Sequence, residues 1–291
     1  MAGGLVACMR PHQWTKNVFI FAALIFAQRL GASEDALRAL AAFVLFCAMS
    51  GAVYIVNDIA DLDKDRAHPR KRLRPIASGR VSVVTAAVFA AALLVPALAA
   101  SFTLSYRFGM VAALYFVVNL LYSFYLKRLV ILDVMTIAFG FVLRAVAGAE
   151  VVEVPISPWL VLCTTLLALF LGFCKRRSEL TVLQSAAADH REILREYSVP
   201  FLDQMISVVT ASTVIAYAFY AMSPDVQGKL HTRYLGLTVP FVLYGIFRYL
   251  YLLHVKGEGG SPSQALLEDR PLLLNVILWG LTCIALLYLR L

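Results

Sequence analysis

The sequence predicts an all-α protein that crosses a membrane about nine times. Of its 291 residues, 61% are hydrophobic and 15% are charged, and the mean hydropathy is +0.78. A soluble domain of this size could not bury so much apolar surface. Apolar stretches of about twenty residues, the length that a helix needs to cross a bilayer, recur along the chain. Hydrocarbon offers the backbone no hydrogen-bond partners, so these Leu-, Ala- and Val-rich stretches must be helices.

The apolar runs divide into nine candidate spans within a single predicted integral-membrane domain, 1–291. The first run is expected to remain as a helix, because a polar segment precedes it and no small-residue cleavage site follows it, unlike a secretory signal. The predicted spans are 17–32, 37–56, 82–101, 107–125, 130–149, 158–174, 201–222, 234–254 and 271–290.

The distribution of Lys and Arg predicts the orientation. With a cytoplasmic N-terminus, the inside segments hold 18 of these residues and the outside segments hold 6, which is the bias expected of an inner or plasma membrane protein. The longest inside segments are the predicted loops 57–81 and 175–200. We therefore expect an active site that faces the cytoplasm.

The remaining composition excludes other classes of site. The net charge of +8 is typical of cytoplasmic loops beside membrane lipids, so no nucleic-acid partner is predicted. The five cysteines have no C-x-x-C spacing and mostly lie in apolar segments. They are interpreted as packing residues rather than metal ligands or disulfides.

Several carboxylates follow the second predicted span, in the stretch NDIADLDKD. Asn57, Asp61 and Asp65 fall within about 80° of each other on a helix, and Asp58 flanks that face. Converging carboxylates repel one another unless a cation binds, and Mg²⁺ prefers such oxygen ligands together with substrate phosphates. A solvated helix end is the alternative, but it does not explain why Asn57 and Asp58 stand where the apolar span ends. These four residues are therefore predicted to bind Mg²⁺.

A basic loop, HPRKRLRPIASG, comes next. Lys71, Arg72 and Arg74 carry groups that suit phosphate oxygens. Cytoplasmic loops are often basic for another reason, because they bind anionic lipid. An acidic helix face followed by a basic loop is more specific, and it indicates a site for a Mg²⁺–diphosphate.

These residues resemble a known family. N-D-x-x-D-x-x-x-D at the end of the second span resembles the UbiA-type superfamily of intramembrane prenyltransferases, and the flanking motifs resemble its decaprenyl-phosphate phosphoribosyltransferase branch. The resemblance covers nearly the whole chain and implies a UbiA-like helix bundle with a central cavity opening to the cytoplasm. The flanking motifs are RPHQWTKN (10–17), HPRKRLRPIASG (68–79), YSFYLKRLVILDV (122–134), GFVLRAVAGA (140–149) and KRRSEL (175–180).

The resemblance implies transfer of 5-phosphoribose from phosphoribosyl pyrophosphate to a polyprenyl phosphate, with Mg²⁺ as cofactor and pyrophosphate as the second product. The lipid product would be a precursor of cell-envelope pentose units. Asp58, Asp61 and Asp65 are the implied catalytic residues. The implied phosphate-binding residues are Lys16, Asn17, Lys71, Arg72, Arg74, Tyr122, Lys127, Arg144, Lys175, Arg176 and Glu179.

One departure from the wider superfamily favours this branch. Most members carry a second D-x-x-x-D motif after the sixth helix, whereas this chain reads CKRRSELTVL there. That segment offers one carboxylate, Glu179, beside three cations, which suits additional phosphate groups better than a second Mg²⁺ cluster.

Two alternatives remain open at this stage. A prenyltransferase of the same fold would move a polyprenyl group from its diphosphate to an aromatic acceptor, with two Mg²⁺ sites. A transporter or lipid-binding membrane protein would use intramembrane charge without catalysis, although it would not need acids and bases concentrated in cytoplasmic loops. A homo-oligomer is compatible with the sequence.

Overall fold

In the described part of the chain, every regular element is a helix. The computed structural model describes residues 2–67, 71–185, 192–258, 260 and 262–289. Within these residues, 8 helices are long and apolar enough to cross a membrane. The prediction of an all-α integral membrane protein is confirmed.

The helices are numbered here in chain order. Helix α11 is preceded by a 3₁₀ turn and followed by a π-helical turn, which together make a continuous apolar segment, Leu235–Lys256. The bounds are α1 Ala2–Cys8, α2 Phe21–Phe26, α3 Ser33–Ala60, α4 Leu62–Ala67, α5 Val83–Leu104, α6 Tyr106–Phe124, α7 Leu132–Val151, α8 Pro158–Ser185, α9 Val199–Met222, α10 Pro224–Leu230, α11 Val239–Tyr251, α12 Pro262–Glu268 and α13 Arg270–Tyr288.

The predicted first span differs from a simple helix. Residues Pro11–Ile20 form a 3₁₀ helix, and the short α2 follows it directly. Neither piece has the length of a membrane-spanning α-helix, so the count of nine is not confirmed in the described residues. The 3₁₀ segment places Asn17 and Ile20 in buried positions, which matters for the site below.

Helix starts follow from capping residues in the sequence. The backbone N–H of Thr85 donates to the Ser82 hydroxyl at 3.1 Å, and that of Leu272 donates to the Asp269 carboxylate at 2.8 Å. Such side chains satisfy backbone donors that the first turn of a helix leaves without partners. Asp269 also accepts two hydrogen bonds from Arg248, at 3.1 and 2.8 Å, and these tie α11 to α13.

The chain forms two compact units. The first comprises the residues up to Ala23, then Ala32–Thr136 and Leu143–Pro155, and in it α5 packs against α3 and α6. The second comprises Leu24–Gly31, Ile137–Val142 and the residues from Ile156 onward, and in it α8 packs against α9 and α11 against α13. The single domain remains a prediction.

Candidate phosphate and metal site

The acidic motif lies in the first unit, where α3 gives way to α4. Helix α3 ends at Ala60, and its C-terminal cap, Asp61, interrupts the helix with a φ of −101° and a ψ of 15°. The backbone keeps its helical connection across this point, because Asp61 N–H donates to Asn57 and Asp65 N–H donates to Asp61, at 2.9 and 2.8 Å. The motif therefore follows the helical path predicted for it, with one local break.

Two carboxylates of the motif share one cation. Asp58 and Asp65 are only 3% and 2% exposed, so their charges need partners inside the protein. Nη1 of Arg74 lies 3.0 Å from Asp58 Oδ1 and 2.5 Å from Asp65 Oδ2. The predicted acidic face and the predicted basic loop therefore meet at a single guanidinium.

The chain between 71 and 81 folds so that Arg74 reaches the acids. A 3₁₀ turn, Lys71–Leu73, precedes Arg74. Arg80 closes the segment by donating to the carbonyl of Leu73 at 2.6 Å. Gly79 adopts a φ of +76°, which glycine tolerates without steric strain. Lys71 is half-buried and Arg72 is exposed, while residues 68–70 of the same motif lie outside the described residues.

Arg10 is a second cation on Asp58 and was not among the predicted site residues. Its Nη2 donates to Asp58 Oδ1, and its guanidinium lies 5.0 Å from the centre of the Tyr54 ring. Helix α1 holds it there, because Cys8 belongs to the same buried cluster as Ile55 of α3. Arg10 is the first residue of the RPHQWTKN motif, which is one of the motifs that carry the family resemblance.

Asp61 faces a different partner from the other two acids. Lys127, in the 3₁₀ turn Leu126–Arg128, lies with its Nζ 2.7 Å from Asp61 Oδ1. Both side chains are about one-fifth exposed, at 17% and 23%. Tyr122 stands half-buried on the last turn of α6, just before this segment. The candidate site thus has a second acid–base pair beside the Arg74 cluster.

Arg144 is also buried in the first unit, together with Asn17. Its Nε donates to Asn17 Oδ1 at 2.7 Å, and its Nη2 donates to the Tyr115 hydroxyl at 2.8 Å. Asn17 in turn donates to Ser50 at 3.3 Å, and Lys16 beside it is half-buried. Two residues predicted from separate motifs, Asn17 and Arg144, are therefore direct neighbours.

The KRRSEL segment lies in the second unit and is helical. Helix α8 continues to Ser185, past the predicted end at 174, because no Pro or Gly interrupts this stretch. Arg176 donates to Glu179 at 2.7 Å, and Lys175 lies 3.9 Å from the same carboxylate. Arg177 donates to Asp203 at 2.5 Å. The lone acid of this segment is surrounded by cations, as its sequence indicated.

The two nearby groups that titrate closest to neutral pH, His12 and Cys8, add no charge to the site near pH 7. Burial lowers the pKa of His12, and the cations Arg10 and Lys16 lower that pKa further. Burial raises the pKa of the Cys8 thiol, and the nearby Asp58 carboxylate raises that pKa again. His12 is therefore neutral and Cys8 protonated near pH 7.

The donor set of the motif fits Mg²⁺. No group of three or more His, Cys, Asp or Glu side chains in the described residues is arranged to hold a metal ion by itself. Mg²⁺ does not need such a cage, since it usually binds one or two carboxylates together with substrate phosphates and water. Asp58 and Asp65 supply two carboxylates that already converge on one positive nitrogen, that of Arg74. They would hold the ion when a diphosphate supplies the other ligands.

Comparison with known proteins gives the same family as the motifs. Residues 18–266 match the UbiA prenyltransferase family. A decaprenyl-phosphate phosphoribosyltransferase from Mycolicibacterium smegmatis is 33% identical over 290 residues, covering 96% of this chain and 91% of that protein. One from Corynebacterium glutamicum is 31% identical over 289 residues, covering 96% and 85%. The resemblance seen in the sequence is confirmed.

Solved structures agree on the fold. A UbiA homolog from Archaeoglobus fulgidus, bound to GPP and Mg²⁺, matches with a TM-score of 0.72 and 18% identity, over 97% of this chain and 99% of that one. A digeranylgeranylglyceryl phosphate synthase matches with a TM-score of 0.66 and 19% identity, over 97% and 98%. From its matched residues, its relatives and its fold, the chain belongs to the UbiA prenyltransferase family.

Proposed function

We propose that this protein transfers 5-phosphoribose from phosphoribosyl pyrophosphate to a polyprenyl phosphate and releases pyrophosphate. The relatives named decaprenyl-phosphate phosphoribosyltransferase align with 96% of the chain. The observation that carries the proposal is the pair of buried carboxylates, Asp58 and Asp65, held around one guanidinium in a basic loop. A diphosphate with a divalent cation needs this combination: carboxylates bind the cation, and cationic side chains bind the phosphate oxygens.

The reaction exchanges one C–O bond for another. The bond between ribose C1 and the pyrophosphate oxygen breaks, and its electron pair leaves with pyrophosphate. An oxygen of the lipid phosphate forms the new bond to C1. A phosphate monoester is already mostly anionic near pH 7, so no side chain has to remove a proton. This agrees with a site built from carboxylates and cations.

The roles of the residues follow from their positions. Asp58 and Asp65, together with the other predicted ligands Asn57 and Asp61, would bind Mg²⁺, which when bound would supply positive charge to the leaving diphosphate. Arg74 and Arg10 would then donate to phosphate oxygens instead of carboxylates, and their forked geometry suits that role. Lys127, beside Asp61, would position a further phosphate. Such a site contributes to catalysis by holding two anionic reactants in one geometry and by stabilising the charge of the leaving group.

The remaining predicted residues are assigned to two regions. Lys16, Lys71, Arg72 and Tyr122 would border the site in the first unit. Arg144 would fix Asn17 through the hydrogen bond between them. In the second unit, the cations around Glu179 would bind phosphate. We further propose a plasma-membrane location, a cytoplasmic N-terminus and a cytoplasmic active site, because of the Lys and Arg distribution.

The proposal predicts lipid-soluble product only when donor, acceptor and divalent cation are all present. Purified protein in detergent would receive phosphoribosyl pyrophosphate labelled in the ribose, a polyprenyl phosphate and Mg²⁺. We expect label to enter the organic phase, and EDTA to abolish this transfer. Excess Mg²⁺ added after EDTA should restore it.

A parallel assay would test the aromatic prenyltransferase reaction, with a polyprenyl diphosphate as donor and a hydroxybenzoate as acceptor. Lipid-linked ribose from folded protein supports the proposal. If no ribose were transferred to polyprenyl phosphates of several lengths and the aromatic acid were prenylated, the phosphoribosyltransferase proposal would be wrong and the protein would be an aromatic prenyltransferase.

A further inference from the structure

The backbone of Arg10 is held in an unfavourable conformation. Its φ of 52° and ψ of 65° lie in the left-handed region, which residues other than glycine rarely adopt. Pro11 follows it, and a residue before proline prefers an extended backbone. Such a conformation persists only where the surrounding structure fixes it. The contacts around Arg10 must therefore offset this cost.

These contacts come from one face of α3. Gly51, Tyr54 and Asp58 are three and four residues apart, which places them on the same side of the helix. The Met9 side chain approaches Gly51 so closely that a Cβ there would lie 3.1 Å from it. Arg10 meets the other two residues, because its Nη2 donates to Asp58 Oδ1 and its guanidinium carbon lies 5.0 Å from the centre of the Tyr54 ring. This face of α3 therefore fixes both the backbone and the side chain before Pro11.

The carboxylate and the ring hold Arg10 in different ways. The contact with Asp58 uses an N–H group, which in the proposed function is transferred to a phosphate oxygen when Mg²⁺ and a diphosphate bind. The contact with Tyr54 is an attraction between the cation and the face of the ring. It leaves the five N–H donors of the guanidinium available. The ring can therefore stay in contact with Arg10 while the N–H groups bind phosphate.

We infer that Tyr54 is a positioning residue, which keeps the Arg10 guanidinium at the diphosphate site after that guanidinium leaves Asp58. The inference rests on the proposed function and adds a residue outside the acidic and basic motifs. Tyr54 is half-buried and the Arg10 side chain is 20% exposed, and partial shielding from water strengthens a cation–π contact. Without the ring, the long side chain of Arg10 would have to be ordered by the diphosphate itself, which weakens binding.

The first test weakens the face of the ring and keeps its shape. Phenylalanine and phenylalanines with one, two or three ring fluorines would replace Tyr54, because fluorine withdraws negative charge from the ring face. Calorimetry on the purified protein in detergent would give the dissociation constant of inorganic pyrophosphate with Mg²⁺. We expect Tyr54→Phe to stay within about threefold of wild type, and the constant to rise with each fluorine, by about 3- to 30-fold for three. A constant that does not change along the series would overturn the inference.

Phe43 provides the matched control. It is also a half-buried aromatic residue of α3, but its ring packs on the ring of Phe21, with the two centres 5.4 Å apart, rather than on a cation. The same fluorinated series at Phe43 should leave the dissociation constant of pyrophosphate unchanged. An equal rise at both positions would mean that fluorine acts through the packing of α3, and this would also overturn the inference.

The second test asks whether the ring acts through Arg10. Tyr54→Leu would be made in the wild-type protein and in Arg10→Gln. We expect it to raise the dissociation constant of pyrophosphate by about 3- to 30-fold in the first and by less than about twofold in the second. A ring that acts only through the guanidinium has no effect once the guanidinium is gone. Equal effects in the two backgrounds would make Tyr54 a packing residue.

Binding and turnover separate this inference from the proposed function. Ribose transfer to a polyprenyl phosphate would be assayed in the same preparations. A fluorinated series without effect, in a protein that binds pyrophosphate and transfers ribose, would refute only the role of Tyr54. Ring-dependent binding of pyrophosphate without ribose transfer would leave that role standing and refute the proposed function.

Discussion

Replacing Asp58 by Asn is expected to lower the rate of phosphoribosyl transfer by at least about 100-fold, the usual effect of removing one preorganised electrostatic group from an active site. The substitution keeps the shape of the side chain and removes its negative charge. In the proposed site it removes one of the carboxylates available to Mg²⁺ and weakens the ionic contacts of Arg10 and Arg74. Initial rates of lipid labelling would measure the effect.

A matched control lies five residues away. Asp63→Asn makes the same chemical change at a side chain that is 97% exposed and 3.9 Å from its nearest basic partner, Arg66. Activity close to that of wild type is expected for this variant, since an exposed ion pair of this kind contributes little to the stability of the fold.

The Mg²⁺ dependence of the rate separates a site residue from a structural one. Loss of a ligand should raise the Mg²⁺ concentration needed for half-maximal activity. Loss of folded protein should lower the maximal rate and leave that Mg²⁺ concentration unchanged. If Asp58→Asn had full activity at low Mg²⁺, Asp58 would not be a ligand of the proposed metal site.

Replacing Gly148 by Ala is expected to reduce the free energy of unfolding by about 1–3 kcal/mol, as overpacking does. A Cβ at this position of α7 would lie 2.0 Å from the carbonyl oxygen of Ile20 and 2.8 Å from its carbonyl carbon. Both atoms belong to the backbone, so a side-chain rotation cannot relieve the contact. The 3₁₀ segment Pro11–Ile20 would have to move away from α7. That movement would also lengthen the hydrogen bond between Arg144 and Asn17.

Thermal unfolding in detergent, followed by circular dichroism, would measure this change. Gly280→Ala is the control, because a Cβ there meets nothing within 4 Å and alanine is the better helix former inside α13. We expect its melting temperature to equal or exceed that of wild type. A Gly148→Ala protein as stable as Gly280→Ala would contradict the close approach of the two backbones.

Much of the acidic motif could be predicted because it is local. Helical spacing places Asp58 and Asp65 seven residues apart on nearly the same face, and the structure brings both to Arg74. The break at Asp61 could not be foreseen, since no Gly or Pro marks it. That break and the turn after α6 give Asp61 a separate partner in Lys127.

Contacts between distant parts of the chain were harder to foresee. Arg10 reaches Asp58 across 48 residues, and nothing in the local pattern of either segment specifies that pair. The predicted first span shows the same limit. Its apolar composition suggested a membrane helix, but the structure has a 3₁₀ segment that brings Asn17 to Arg144.

The sequence alone determined that this protein is a helical membrane protein with an acidic and a basic motif in adjacent segments. Hydrophobic length and helical period are properties of short stretches, so composition and spacing are sufficient to predict them. Only the tertiary structure decided which cation meets which acid and which side chains surround Arg144. These features depend on how helices separated in sequence pack together, and packing is set by side-chain shape across the whole unit rather than by any local pattern.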